Sequence, residues 1–136
     1  AGLGTDKFIQ EKKVLALGAY KNIHEVYNAS DIIISSSAFG EGFSNALGEG
    51  MASGLVPIAT DVGDAKKIIA DTGKIISISN HNEMFEAIKD VINYNDIDLL
   101  NIKNNARGRI KKYYSKEKMV NNYNHIYESI LTDVGK

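Results

Sequence analysis

Short apolar runs alternate along the chain with stretches whose apolar positions recur at helical spacing. Val14–Leu17, closed by Gly18, then Ile32–Ser36, Val56–Thr60 and Lys74–Ile78 read as four strands, apolar on both faces. Between them, Ile23–Ala29, Ser44–Ser53 and Ala65–Ala70 read as helices, the second stopped by Gly54 as a left-handed C-terminal residue. Strands hidden on both sides and separated by helices predict a parallel sheet covered on both faces. Pro57 has no N–H to give a ladder, so it is expected at the first residue or so of its strand. Asn80-His-Asn-Glu83 has the form of a capping box, and Met84, Ala87, Ile88, Val91 and Ile92 follow it at i, i+3, i+4 spacing. Asp98–Tyr114 is a further helix with Leu99, Ile102, Ala106 and Ile110 inward. Ser115 is expected to cap the last helix, where Met119, Val120, Tyr123, Ile126, Tyr127, Ile130 and Leu131 make a broad apolar stripe. The pattern predicts an α/β fold: an incomplete doubly wound (Rossmann-like) parallel sheet of about four strands, with helices on both faces and a helical C-terminus. Such sheets run to five or six strands, so the expectation is a sheet that continues upstream of Ala1.

At 136 residues the chain fits one domain. Its 43% apolar and 24% charged residues exclude general disorder, and no apolar run approaches the roughly 20 residues of a membrane span. Without cysteine there is neither a disulfide scaffold nor a thiolate metal site. No charged start followed by an apolar stretch opens the chain, so a cytoplasmic setting is the default expectation. Charge is uneven: 8 Lys and Arg stand against 14 Asp and Glu over residues 1–100, and 8 against 3 over residues 101–136. The basic excess centres on Arg107, Arg109, Lys111, Lys112, Lys116 and Lys118, interleaved with Tyr113 and Tyr114. Solvated faces of two helices explain such a run without a partner, an anionic lipid contact stays open, and nucleic acid is not expected.

The segment that carries chemistry is Phe39-Gly-Glu-Gly-Phe-Ser-Asn-Ala-Leu-Gly-Glu-Gly-Met-Ala-Ser-Gly54. A strand ends, a Gly-flanked loop turns, and a helix starts near Ser44, at the carboxyl end of a parallel sheet where ligands bind. The first N–H groups of that helix lack internal partners and carry partial positive charge, so the amides of residues 43 to 47 suit a diphosphate. Gly40 and Gly42 let the backbone come close. Glu41 lies just before the helix and Glu49 one turn inside it, tilted back toward the same edge. Carboxylates accept strongly from hydroxyl pairs. A diphosphate with a polyhydroxylated ring at each end, a nucleotide sugar, meets all three demands. A surface loop whose glutamates merely favour a helix start is the plain alternative.

Glu41 and Glu49, seven residues apart within EGFSNALGEGMASG, resemble the E-x7-E motif of retaining glycosyltransferases of family 4, the group 1 glycosyl transferases of GT-B fold. Leu17-Gly18, Asn28-Ala-Ser-Asp31, Ala59-Thr-Asp-Val-Gly63 and Asp71-Thr-Gly73 are similar to further landmarks of that family, from about residue 13 to residue 131. The resemblance implies that Glu41 contacts donor-sugar hydroxyls near the reacting centre. It implies that Gly42, Phe43, Ser44, Asn45, Ala46 and Leu47 line the sugar and diphosphate, mostly through backbone, and that Glu49 holds the ribose. The turn of Gly18, Ala19 and Tyr20 would touch the nucleobase. Two departures stand out: Val56 precedes Pro57 where the family often has Pro directly, and Lys67 replaces a frequent Glu.

The resemblance further implies that residues 1–136 are a partial C-terminal nucleotide-sugar-binding domain, inactive alone. Its acceptor, a glycan or a lipid-linked sugar, would be met through an absent N-terminal domain, toward which the family's last helix often packs. The donor would be a substrate, and no cofactor or metal is implied. High Asn, Ile and Lys usage points to an AT-rich bacterial genome and so to surface polysaccharide or glycolipid synthesis, with a setting expected to be cytoplasmic or in peripheral contact with the inner face of the membrane. A non-catalytic nucleotide-sugar-binding or assembly module is the competing reading. Other signals have ordinary explanations. Asp96-Ile-Asp98 is expected to cap a helix rather than bind metal, Asp61 and Asp64 to cap the helix at Ala65, and His24, His81 and His125 lack ligand spacing. Ala1-Gly-Leu-Gly-Thr-Asp lacks the third glycine of a dinucleotide fingerprint.

Overall fold

The computed structural model describes residues 14–134, with side chains through Thr132; the glycine pair at the chain start lies outside the described residues. The elements run α1 (Ile23–Asn28), β1 (Ile32–Ser35), α2 (Asn45–Ala52), β2 (Val56–Thr60), α3 (Ala65–Ile69), β3 (Lys74–Ile76), α4 (His81–Ile92), α5 (Asp96–Tyr113) and α6 (Lys116–Val134). The sheet is parallel, in the order β1-β2-β3, with Ile32 opposite Val56 and Ile58 opposite Lys74. Among the described residues it has three strands, not four. Val14–Leu17 forms no strand, and Val14 and Leu15 stay exposed. A strand exists only where a neighbour completes its ladder, and the described chain offers this run none. β1 and β3 also end one or two residues early; just past β3 the Ser77 N–H is taken by the Glu83 carboxylate at 2.6 Å and the chain turns through Ser79 at φ +58°.

Burial on both faces is what gives β2 its unbroken apolar run, all five residues being buried. One face carries Leu47, Met51, Ala59, Ile68, Ile69, Ala106 and Ile110 from α2, β2, α3 and α5. The other carries Val56, Ile58, Ile76, Ala87 and Val91, with α4 laid across it. Pro57 stands near the start of β2 as expected, at its second residue. Val56 N–H bonds the Asp31 carbonyl toward β1 at 2.9 Å, so the alternate position at Pro57 points toward β3 before β3 begins, and no ladder bond is lost.

The caps largely follow the sequence. Asn80 Oδ1 accepts from Glu83 N–H at 3.1 Å, and Ser115 Oγ from Lys118 N–H at 3.2 Å. Gly54 takes φ +87° just past α2. Two expectations are corrected. Asn95, not Asp96 or Asp98, caps α5, accepting from Asp98 N–H at 2.9 Å. Asp64 stands at the cap position of α3 without a side-chain bond. Part of the basic segment serves the fold: Arg109 donates from Nε to the Ile68 carbonyl and from Nη2 to the Lys67 carbonyl, each at 2.6 Å, closing the C-terminus of α3. The stripe on α6 lies open, with Met119, Tyr123, Ile126 and Ile130 all more than half exposed. No helix among the described residues is long and apolar enough to cross a membrane.

Candidate functional site

Beyond β1 the chain passes over the carboxyl ends of the strands as a loop and enters α2. Ser44, extended at φ −75° and ψ 103°, is the residue before the helix and makes no side-chain cap. The first helical bond runs from Gly48 N–H to the Ser44 carbonyl at 3.1 Å. Among the described residues, no side chain or carbonyl accepts from the N–H groups of Asn45, Ala46 and Leu47. Asn45 and Ala46 are exposed, as are Gly42 and Phe43 before them, while Ser44 is half-buried. Leu47 is different: its side chain is wholly buried in the core, so only its N–H is left to meet a ligand. An open, partly positive helix end is therefore what the sequence placed there.

The loop that carries Glu41 is held from below. Ser37 Oγ donates to Glu41 Oε1 at 2.8 Å, and Thr60 Oγ1, at the end of β2, donates to the Ser37 carbonyl at 2.6 Å. Asp64 N–H reaches the Gly42 carbonyl at 3.3 Å. Gly63, at φ +57°, lies against the same stretch, and a Cβ there would collide with the Glu41 carbonyl oxygen. Glu41 is thus half-buried on a braced loop rather than on a free one. Close packing of α2 on β1 has a similar origin, since a Cβ at Gly50 would strike the Ile33 side chain.

Glu49 lies in the same helix, exposed on its outer side. Tyr27 Oη donates to Glu49 Oε2 at 3.2 Å, joining α1 to α2. Burial, and then the Glu49 charge and hydrogen bond, push the Tyr27 phenol above its ordinary range, so it stays a donor at neutral pH. A cavity of about 340 Å³ opens between the two helices, lined by Ile23, His24, Tyr27, Glu49, Ala52 and Ser53. Gly18, at φ +61°, and Ala19 lead into Tyr20, whose hydroxyl donates to Glu25 Oε2 on α1 at 2.9 Å. So the turn of Gly18–Tyr20 and Glu49 are tied to one short helix, and Glu41 and Glu49 to the two ends of the same loop-helix unit. A second cavity of about 370 Å³ lies at the carboxyl ends of all three strands, lined in part by Ile34, Ser36, Thr60, Ile76 and His81.

Thr60 and Gly63 stood in the sequence only as a strand end and a glycine turn, with no role toward Glu41, and Ser37 and Tyr27 were not singled out at all. Ser37 stands four residues before Glu41 in a Ser run that carries no specific signal by itself. Tyr27 and Glu49 are 22 positions apart, a distance no local pattern bridges. Among the described residues no three His, Asp or Glu side chains gather as a metal cluster.

The uncapped start of α2, with Glu41 on the loop before it and Glu49 one turn inside it, lies at the carboxyl end of a parallel sheet, where open α/β folds commonly bind ligands. Residues 3–94 match the family of group 1 glycosyl transferases, and the chain belongs to that family. It is 29% identical over 125 residues to the N-acetyl-alpha-D-glucosaminyl L-malate synthase of Bacillus anthracis, covering 90% of this chain and 32% of that protein. It is 30% identical over 106 residues to a Campylobacter jejuni enzyme, N-acetylgalactosamine-N,N'-diacetylbacillosaminyl-diphospho-undecaprenol 4-alpha-N-acetylgalactosaminyltransferase, covering 76% of this chain and 28% of that protein. The crystal structure of a glycosyltransferase from Rickettsia africae ESF-5 superposes with a TM-score of 0.81 at 27% identity, over 93% of this chain and 34% of that one. Sucrose-phosphate synthase from Thermosynechococcus elongatus shares the fold, with a TM-score of 0.80 at 19% identity over 95% of this chain and 33% of its own. The chain spans about a third of the length of these relatives.

Proposed function

We propose that this chain is the donor-binding part of a retaining glycosyltransferase of family 4, moving a hexosyl group from a nucleoside diphosphate sugar to a glycan or lipid-linked acceptor. The observation that carries the reading is the uncapped start of α2 between Glu41 and Glu49. The amides of Asn45, Ala46 and Leu47 would take the diphosphate and stabilise the charge that builds on it as the glycosidic bond breaks. Glu41 would accept from donor-sugar hydroxyls at the reacting centre and Glu49 from the ribose, while Gly42, Phe43 and Ser44 line the sugar and the turn of Gly18, Ala19 and Tyr20 meets the base. No metal or cofactor is needed for these roles.

Residues 1–136 would then be a partial C-terminal domain of GT-B architecture, binding donor but not transferring it, with the acceptor bound by a further domain. One relative is named as an N-acetylgalactosaminyltransferase with a diphospho-undecaprenol in its name, which supports a lipid-linked acceptor, while the other is named as an N-acetyl-alpha-D-glucosaminyl L-malate synthase. Calorimetric titration of the chain with UDP-, GDP- and ADP-sugars tests the reading. One of the three should bind, Glu49→Ala should weaken the sugar nucleotide and its parent diphosphate alike, and Glu41→Ala should weaken only the former. No binding by any of them overturns the proposal, and the reverse pattern exchanges the two glutamates.

A further inference from the structure

Glu41 and Glu49 share a feature that the spacing of the motif does not contain. In each, one carboxylate oxygen accepts from a hydroxyl of the chain itself, and the other has no partner among the described residues. Ser37 Oγ holds Oε1 of Glu41 at 2.8 Å, and Tyr27 Oη holds Oε2 of Glu49 at 3.2 Å. Neither hydroxyl is loose. Thr60, 5% exposed at the end of the central strand, fixes the Ser37 carbonyl at 2.6 Å, and Tyr27 is half-buried between α1 and α2. A neutral hydroxyl orients a carboxylate without cancelling its charge, as a lysine or arginine would. An unheld glutamate must surrender rotamer freedom when a ligand hydroxyl fixes it, and prior fixing removes that cost from binding.

We infer that Ser37 and Tyr27 are positioning residues: they hold Glu41 and Glu49 so that Oε2 of the first and Oε1 of the second are left to accept ligand hydroxyls. The inference rests on the donor-binding reading and adds to it two residues that touch no ligand. It also separates the site into two halves. Ser37 acts only on the sugar end, and Tyr27 only on the nucleoside end.

The test is calorimetric titration of the full chain with three pairs of probes: UDP and UDP-N-acetylglucosamine, GDP and GDP-mannose, ADP and ADP-glucose. For the pair that binds wild type, Ser37→Ala should weaken the nucleotide sugar about 3- to 10-fold, the range of one hydrogen bond to a charged group acting indirectly, and leave the bare diphosphate unchanged. Ser37→Thr, which keeps the hydroxyl, should restore wild-type affinity. Tyr27→Phe should weaken both members of the pair by the same factor, and added to Glu49→Ala it should weaken them no further, whereas a merely structural role would add its loss in full. A merely structural role would move both members with Ser37→Ala and show no such split. If Ser37→Ala does not melt as a folded protein, Ser37→Cys, with only a weak S–H donor, takes its place. The inference is overturned if Glu41→Ala removes the sugar contribution while Ser37→Ala keeps it, or if Glu49→Ala weakens both ligands while Tyr27→Phe weakens neither; the donor reading survives either result. Wild type binding none of the six probes removes the donor reading and this inference with it, and wild type binding both members of a pair equally overturns the Ser37 assignment while the donor reading stands.

Discussion

Gly63→Ala should unseat the loop that presents Glu41. Gly63 sits at φ +57°, and placing an L side chain in that conformation costs roughly 1–2 kcal/mol. The added Cβ would also stand on the Glu41 carbonyl oxygen and 2.9 Å from the Gly42 carbonyl oxygen. These are backbone atoms, which cannot rotate aside as a side chain does, and relieving such an overlap costs about 1–3 kcal/mol more. The Asp64 N–H bond to the Gly42 carbonyl at 3.3 Å would break as the loop lifts. The combined loss is about 2–5 kcal/mol, taken either as stability or as displacement of Glu41. Gly54→Ala separates the two terms: at φ +87° it carries the conformational penalty, yet among the described residues nothing lies within 4 Å of the added Cβ. Urea unfolding of both variants, extrapolated to water, gives the difference directly. Gly63→Ala should exceed Gly54→Ala by at least about 1 kcal/mol, or match it while losing affinity for the nucleotide sugar. If it matches Gly54→Ala and binds the sugar nucleotide as wild type does, the bracing of this loop has been misread.

Arg109→Ala should cost about 1–3 kcal/mol in the same unfolding assay, because it strips two charge-assisted bonds from the Ile68 and Lys67 carbonyls. Arg109→Lys should recover only part of it, since an ammonium cannot span both acceptors as the planar guanidinium does. A variant that keeps its stability but loses binding to anionic vesicles would place this arginine on a lipid surface instead. Glu83 governs a pH dependence. The Ser77 N–H, first, and then the Ser77 hydroxyl hold its carboxyl below the ordinary 4.5. Its contribution is therefore complete above that value and disappears as pH falls through the lower folded value. Thermal melts of wild type should decline across that acid range more steeply than those of Glu83→Gln; parallel declines would contradict the assignment.

The sheet was legible from its unbroken apolar runs: β2, buried at all five residues, is written as Val56–Ala59 before Thr60, and β1 as Ile32–Ile34 although Ile34 is left exposed. Val14–Leu17 has the same composition and forms no strand, since apolar residues make a strand only where a ladder partner lies beside them. Caps were legible where the side chain bonds its own helix, as at Asn80 and Ser115, and misplaced at Asp98, where Asn95 three residues earlier captures the free N–H. The placing of Glu41 and Glu49 around the start of α2 followed from spacing, because seven intervening residues and one helix turn are local quantities. What fixes those glutamates was not legible. Thr60 reaches Ser37 across 23 positions because β2 lies beside β1, and Tyr27 reaches Glu49 across 22 because α1 lies beside α2. The basic segment shows the converse: a run that composition offered as a surface patch includes Arg109, which is occupied in closing α3.

Amide chemical-shift mapping of the 15N-labelled chain against UDP, GDP and ADP probes the start of α2 most directly. The account predicts that the largest shifts fall on Asn45, Ala46 and Leu47, whose N–H groups have no acceptor among the described residues. Shifts confined instead to the basic stretch from Arg107 to Lys118, with those three amides unmoved, would contradict it.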